Sequence, residues 1–303
     1  MLTGIHVAFL GGDARQLEVI EKFSELDASI TLIGFDNLEP KYSGVKHAEL
    51  NEEVLKTVDV LILHAVVANN TGKIDSIFSS KELQLTESHL KSLPKHAKLY
   101  TGFSKPYFRS LCQENRVELI ELFERDDVAI YNSIPTAEGA IMMAIENTDI
   151  TIHGSRCIVL GLGRTGVTLA RTLKGIGAQV SVGVRRHEHF ARAYEMQLNP
   201  FLLRDLCKEV TDIDLLFNTI PTMIVTAEVI AHIPHRAVII DLASKPGGTD
   251  FRFAEKRGVK AMIAPGLPGI VAPKTAGQII AKSLIQLISE DSSEWGSEHE
   301  LEK

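Results

Sequence analysis

Short apolar runs alternate with stretches of helical period along most of the chain. In the first half, Ile5–Leu10, Ile30–Gly34, Val60–His64, Lys98–Gly102 and Val117–Leu122 read as strands. Asp13–Leu26 and Lys105–Asn115 carry the apolar spacing of helices. Continuous apolar strands separated by helices point to a parallel sheet covered on both faces. Phe35–Leu50, with Pro40 and Gly44, reads as irregular, and polar Asn69–Glu87 as a long surface loop. Asp126–Asp149 is mostly helical in pattern, with Pro135 marking a turn at Asn132–Pro135 and a helix from Thr136.

The second half repeats the alternation. Cys157–Leu160, Gln179–Val184, Leu215–Thr219, Val238–Leu242 and Lys260–Ala264 read as strands, with helices starting at Arg164, His187, Thr226 and Asp250. A last amphipathic helix, Lys274–Ile288, is expected to pack back on the first domain, and the acidic end with Trp295 is expected to be disordered. The pattern predicts an α/β protein of two doubly wound parallel-sheet domains, the first flavodoxin-like or Rossmann-like, with a cleft between them. The expected divisions are 1–130, a connecting helix over 131–150, a dinucleotide-binding domain over 151–272, the returning helix 273–289 and a tail over 290–303.

The chemistry starts at Gly161-x-Gly163-x-x-Gly166, which follows an apolar strand and opens an apolar helix. Gly161 permits the tight turn, Gly163 lets the backbone approach a pyrophosphate, and Gly166 lets helix and strand pack closely. The helix start, with Arg164 and Thr165, then offers free N–H groups and the positive end of the dipole. This is the pattern of a Rossmann dinucleotide site. The second strand ends in Gly183-Val184-Arg185-Arg186, without the carboxylate that binds a ribose 2′-hydroxyl in NAD sites. Two guanidiniums there suit a 2′-phosphate, so NADP is the expected cofactor and NAD a possible one; solvated arginines are the alternative reading. Strand-end loops place Asn218, Thr219, Pro221 and Asp241 beside the cofactor.

The chain has 303 residues, 45% of them hydrophobic, and a formal net charge of −7. That balance opposes nucleic acid as a partner, since phosphate neutralisation needs a basic face. No apolar run is long enough for a membrane span, and no signal peptide is expected. Cys112, Cys157 and Cys207 are scattered, with no metal-ligand or disulfide spacing, which fits reduced thiols in a cytoplasm. Cys157, inside an apolar strand, reads as a core thiol.

Three separated segments carry a family resemblance. They are Leu10-Gly11-Gly12-Asp13-Ala14-Arg15-Gln16, Asp241-Leu242-Ala243-Ser244-Lys245-Pro246-Gly247-Gly248-Thr249-Asp250-Phe251, and Ala264-Pro265-Gly266-Leu267-Pro268-Gly269 with Ala272-Pro273-Lys274-Thr275-Ala276-Gly277. Together they resemble the dipicolinate synthase A-chain family of spore-forming bacteria, over nearly the whole chain except the acidic tail. The second half is also similar to the cofactor domains of 2-hydroxyacid dehydrogenases, alanine dehydrogenase and adenosylhomocysteinase. The resemblance implies oxidation of dihydrodipicolinate, from the lysine pathway, to dipicolinate, with NAD(P)+ accepting the hydride. It also implies a setting in the mother-cell cytoplasm during sporulation, and a partner in the form of a flavoprotein-like B subunit. A homo-oligomer is expected by analogy with other dehydrogenases of this fold.

A dicarboxylate substrate calls for cationic or N–H-rich anchors. Arg15, His64, Lys105 and Arg109 sit at predicted strand ends of the first domain, and Ser104 adds a donor at the Lys105 helix start. Asn132, Ser133, Thr136, Lys245 and Lys274 are the candidates from the other side. Each has a bland alternative: His64 reads equally as a buried structural histidine, and Lys105 and Arg109 as solvated helix residues. Arg15 opposes the helix dipole, which favours an anion-binding reading. Two other functions stay open. One is a non-catalytic NADP(H)-binding role in assembly of a complex. The other is a stand-alone 2-hydroxyacid-type dehydrogenase, which His235-Arg236 opposes by lying at the wrong end of the sheet.

Overall fold

The structure is a computed structural model. It describes residues 1–39, 44–63, 66–67, 71–244 and 247–301, with backbone alone at 66–67 and 292–301. The chain divides into two compact units, Met1–Val128 with the segment from Pro273, and Ala129–Ala272.

The first unit holds six parallel strands: β1 (His6–Leu10), β2 (Ser29–Ile33), β3 (Val45–Ala48), β4 (Val60–Leu63), β5 (Lys98–Thr101) and β6 (Glu118–Glu121). Their order is β6-β5-β4-β1-β2-β3. Helix α1 (Ala14–Glu25) follows β1, and α2 (Pro106–Glu114) lies between β5 and β6. The four residues of β1 from Val7 to Leu10 are buried on both faces, which is why they read as one unbroken apolar run. Val7 and Phe9 face one core with Val19 and Phe23 of α1, while Ala8 and Leu10 face another with Leu61, Leu99 and Phe108.

The second unit repeats the plan. Helix α3 (Asp126–Asn147) leads into β7 (Arg156–Leu160), α4 (Arg164–Gly175), β8 (Gln179–Val184), β9 (Asn199–Leu202), β10 (Leu215–Asn218), β11 (Val238–Asp241) and β12 (Lys260–Ile263). The order is β9-β8-β7-β10-β11-β12, again all parallel. Numbered within each unit, both sheets run 3-2-1-4-5-6, the doubly wound order of dinucleotide-binding folds. The expected fold class is therefore observed. The last helix, α5 (Pro273–Leu301), returns to the first unit, where Ile280, Ala281, Leu284 and Ile288 join the core around Val19 and Phe23. A side chain at Gly277 would strike the carbonyl of Arg15, so α5 crosses α1 at close range.

Several local expectations need correction. The stretch expected to be irregular contains β3, an edge strand whose half-exposed residues give no apolar run. Within the expected surface loop, Lys73–Ile74 and Leu83–Gln84 pair antiparallel, and Ile74, Leu83 and Leu85 are buried. Edge strand β9, with Pro200 inside it, carried no readable signal either. Pro135 does not make a turn; it lies inside α3. Ser133 Oγ donates to the Ile130 carbonyl at 2.6 Å and Thr136 Oγ1 to the Asn132 carbonyl at 2.7 Å, supplying side-chain donors around the bond that the proline cannot make. The backbone of α5 is helical to Leu301, beyond the expected end near Ile288 and through most of the expected tail. Asp291 fixes it, accepting Tyr100 Oη at 2.9 Å and pairing with Lys98 Nζ at 2.6 Å.

Candidate dinucleotide site

The turn between β7 and α4 shows the three glycine roles separately. Gly161 has φ +96°, and a Cβ there would lie 2.6 Å from Thr219 Oγ1. A Cβ on Gly166 would collide with the Gly161 carbonyl oxygen, so only glycine lets α4 start this close to the strand. A Cβ on Gly163 meets nothing within 4 Å. The space above it is open. Gly163 is also the N-cap of α4 and supplies no side-chain acceptor to the helix N-terminus, where an anion would meet free N–H groups.

A cavity of about 470 Å³ opens beside this turn, lined by Gly161, Leu162, Arg185, Arg186, His189 and Pro221 among others. Arg185 is exposed and has no ion-pair partner among the described residues. Arg186 Nη2 lies 2.8 Å from His189 Nε2, with Glu188 at 3.7 Å. The open Gly163, the uncapped helix and two guanidiniums at the cavity wall fit a phosphorylated dinucleotide. His189 escaped the sequence reading; its spacing of three from Arg186 at a helix start was the available signal.

The side chains of Asn218, Thr219 and Asp241 bond within the protein. Asn218 and Asp241 are fully buried. Asn218 Nδ2 donates to the Ile220 carbonyl at 3.1 Å and to Asp241 Oδ1 at 3.0 Å, while its Oδ1 accepts the Ile220 N–H at 3.0 Å. Asp241 Oδ1 also accepts the Ala243 N–H at 3.0 Å, and Oδ2 the Gly248 N–H at 2.9 Å. Thr219 donates its N–H and hydroxyl to the Leu160 carbonyl at 3.0 and 2.7 Å. Their side-chain polar atoms bond within the protein, and these bonds hold the loops around the turn. Pro221 does line the cavity. Arg164 and Thr165 form the first turn of α4 and are not among the cavity-lining residues.

The expected substrate anchors are largely engaged elsewhere. Arg15 Nη2 pairs with Asp13 at 2.5 Å, and Asp13 caps α1 by accepting the Arg15 N–H at 2.9 Å. The carboxylate thus accounts for a cation at a helix start, which corrects the anion-binding reading. Arg109 pairs with Glu121 and Glu124, both at 2.6 Å, and lies 5.7 Å over the Phe103 ring. Ser104 gives its N–H to Glu121 at 2.5 Å. Lys105, the N-cap of α2, is exposed and has no ion-pair partner among the described residues. Ser133 is buried and shares a 2.6 Å hydrogen bond with Thr168 Oγ1, joining α3 to α4, so it is a packing residue. Lys274 lies 4.0 Å from Glu18. His64 and Lys245 fall outside the described residues. Burial pushes the Cys112 thiol up to about 12 and the Cys157 thiol up to about 11, which leaves both inert at neutral pH.

Known proteins agree with this geometry. Residues 6–123 match the family described as the N-terminal domain of the dipicolinate synthase A chain, and residues 132–301 match the alanine dehydrogenase/PNT C-terminal domain. The chain is 49% identical over 296 residues to the dipicolinate synthase A chain of Bacillus subtilis (strain 168), covering 98% of this chain and 100% of that one. It belongs to the dipicolinate synthase A-chain family. The crystal structure of the Bacillus halodurans member superposes with a TM-score of 0.93 at 51% identity, over 95% of this chain and 98% of that one. The transhydrogenase of Sinorhizobium meliloti superposes with a TM-score of 0.69 at 16% identity, over 93% of each chain, a likeness of fold alone. Within the family, the second unit is the part built as a nicotinamide-dinucleotide domain. No helix among the described residues is long and apolar enough to cross a membrane.

Proposed function

We propose that the chain is the A component of a dipicolinate synthase and oxidises dihydrodipicolinate to dipicolinate with NADP+ in the mother-cell cytoplasm, together with a B subunit. The observation that carries the reading is the open, uncapped glycine turn of a family member matched over its full length. NADP+, when bound, supplies the hydride acceptor. The N-terminus of α4 would hold the pyrophosphate, and Arg185 and Arg186 would hold the 2′-phosphate. The Asn218–Asp241 pair holds the strand-end loops that would border the cofactor.

The substrate loses one hydride and one proton, and the ring becomes aromatic. Positioning and a modest base therefore suffice. Of Arg15, Lys105 and Arg109, only Lys105 lacks a carboxylate partner among the described residues, so it is the first-unit cation assigned to a substrate carboxylate. The test is absorbance in the reduced-nicotinamide band with dihydrodipicolinate, with and without the B subunit. Reduction that needs both components supports the reading. Cofactor binding without any reduction, in the presence of both, assigns the chain to the non-catalytic role instead.

A further inference from the structure

The wall of the cofactor cavity that holds Arg185 and Arg186 holds one further ionisable side chain, His189. It is partly buried and stands in the first turn of the helix His187–Glu195, whose N-cap, Arg186, makes no side-chain cap bond. Arg186 Nη2 lies 2.8 Å from His189 Nε2. A guanidinium can only donate, so Nε2 accepts, and the ring is neutral with its hydrogen on Nδ1. The other lining residues, from the glycine turn, the end of β8, Leu203 and the loop after β10, have no ionisable side chain. On the same helical turn, Glu188 lies 3.7 Å from Arg186 Nη1. Its carboxyl is held below the ordinary range first by its own backbone N–H, then by the charges of Arg186, His189 and His187. Further along the helix Arg192 pairs with Glu195 at 3.2 Å, and just after β9, which packs on this helix, Arg204 pairs with Asp205 at 3.8 Å.

Building on the 2′-phosphate role proposed for Arg185 and Arg186, we propose that His189 is the third side chain of that subsite and that NADP+ binding takes up a proton on its ring. A phosphate oxygen bonded to Arg186 Nη2 arrives beside Nε2, which in the anion-free protein presents a lone pair. A lone pair facing a phosphate oxygen repels it. A hydrogen on Nε2 turns the same approach into a charge-assisted hydrogen bond. Imidazole is the side chain whose charge changes near neutral pH, so the proton is available there. The 2′-phosphate brings a charge of about −2 and three acceptor oxygens, which Arg185, Arg186 and protonated His189 would meet with three cationic donors. NAD+ has a hydroxyl at that position, brings no such charge and leaves His189 neutral. His189 thereby makes the choice between the two cofactors depend on pH, with NADP+ favoured more strongly as the solution becomes less alkaline.

Calorimetric titration of NADP+ and of NAD+ into the full chain tests this between about pH 8.5 and about pH 7, where the 2′-phosphate stays largely dianionic. NADP+ affinity of the wild-type chain should rise about fivefold from the upper to the lower end, with NAD+ affinity flat. Repeating the titrations in buffers of different ionisation heat should show proton uptake with NADP+ and none with NAD+. His189→Gln, neutral throughout, should abolish the uptake and weaken NADP+ about fivefold at the lower end. His189→Arg, charged throughout, should also flatten the profile while keeping the wild-type affinity of the lower end. NAD+ binding by both variants reports an intact domain. A wild-type chain that loses NADP+ on changing Arg185 and Arg186 to Ala, yet binds it without pH dependence or proton uptake, overturns the role of His189 and leaves the arginine site standing. A His189→Gln variant with the wild-type profile and uptake overturns it too. A wild-type chain with no preference for NADP+ over NAD+ overturns the 2′-phosphate reading and this role together.

Discussion

The two sheets share one strand order, yet the turn after the first strand is closed in the first unit and open in the second. In the first unit a Cβ on Gly11 would lie 2.6 Å from the Asp75 carbonyl oxygen. The Gly12 N–H donates to that same oxygen at 3.1 Å, and Ile77 N–H donates back to Gly12 at 2.9 Å. Asp13 stands at the N-cap where the second unit has Gly163, and its carboxylate takes the place that an external anion would occupy. Buried Gln16 stands where the second unit has Gly166, donating to the Leu63 carbonyl at 3.2 Å. The same helix-terminus electrostatics is satisfied internally in one unit and left for a ligand in the other. Fold alone therefore does not make a dinucleotide site; two side-chain choices at one turn separate the two units.

Five variants would break or sharpen that contrast. Gly166→Ala drives a methyl into the Gly161 carbonyl, and chemical denaturation should show a loss of about 3 kcal/mol. Changing Arg185 and Arg186 together to Ala removes two charge-assisted contacts, so NADP+ affinity should fall about a hundredfold with NAD+ nearly unchanged. Equal affinity of the unmutated chain for both cofactors would rule out the 2′-phosphate role. Lys105→Ala should cut kcat/KM of the complete synthase about tenfold with cofactor affinity intact, whereas Arg15→Ala should leave kcat/KM within about twofold. Asp13→Ala loses a cap at about 1 kcal/mol and should create no second cofactor site.

The parts of the molecule legible in sequence are those where burial leaves a periodic trace. Strands buried on both faces, such as β1, β4, β7 and β11, are unbroken apolar runs, and the glycine turn needed only local context. Edge strands β3 and β9 left no such trace, and the short hairpin around Ile74 and Leu83 hides its buried residues among polar ones. The site was legible in its glycines and its arginine pair. It was not legible in its anchors, because the carboxylates that engage Arg109 come from 12 and 15 residues away, on and just after β6. The hydrogen bond between Asn218 and Asp241 was hidden for the same reason: strand-end position is visible in sequence, whereas a contact between two strand ends is not.

Calorimetric titration of NADP+ into the wild-type chain and into Gly163→Val tests the central claim most directly. A Cβ at Gly163 meets nothing within 4 Å, so a branched side chain there projects into the space where a pyrophosphate would lie. The account predicts one cofactor per wild-type chain, and an affinity reduced about a hundredfold or more in the variant with Tm unchanged. Undiminished binding by Gly163→Val, or two cofactors per chain, would contradict it.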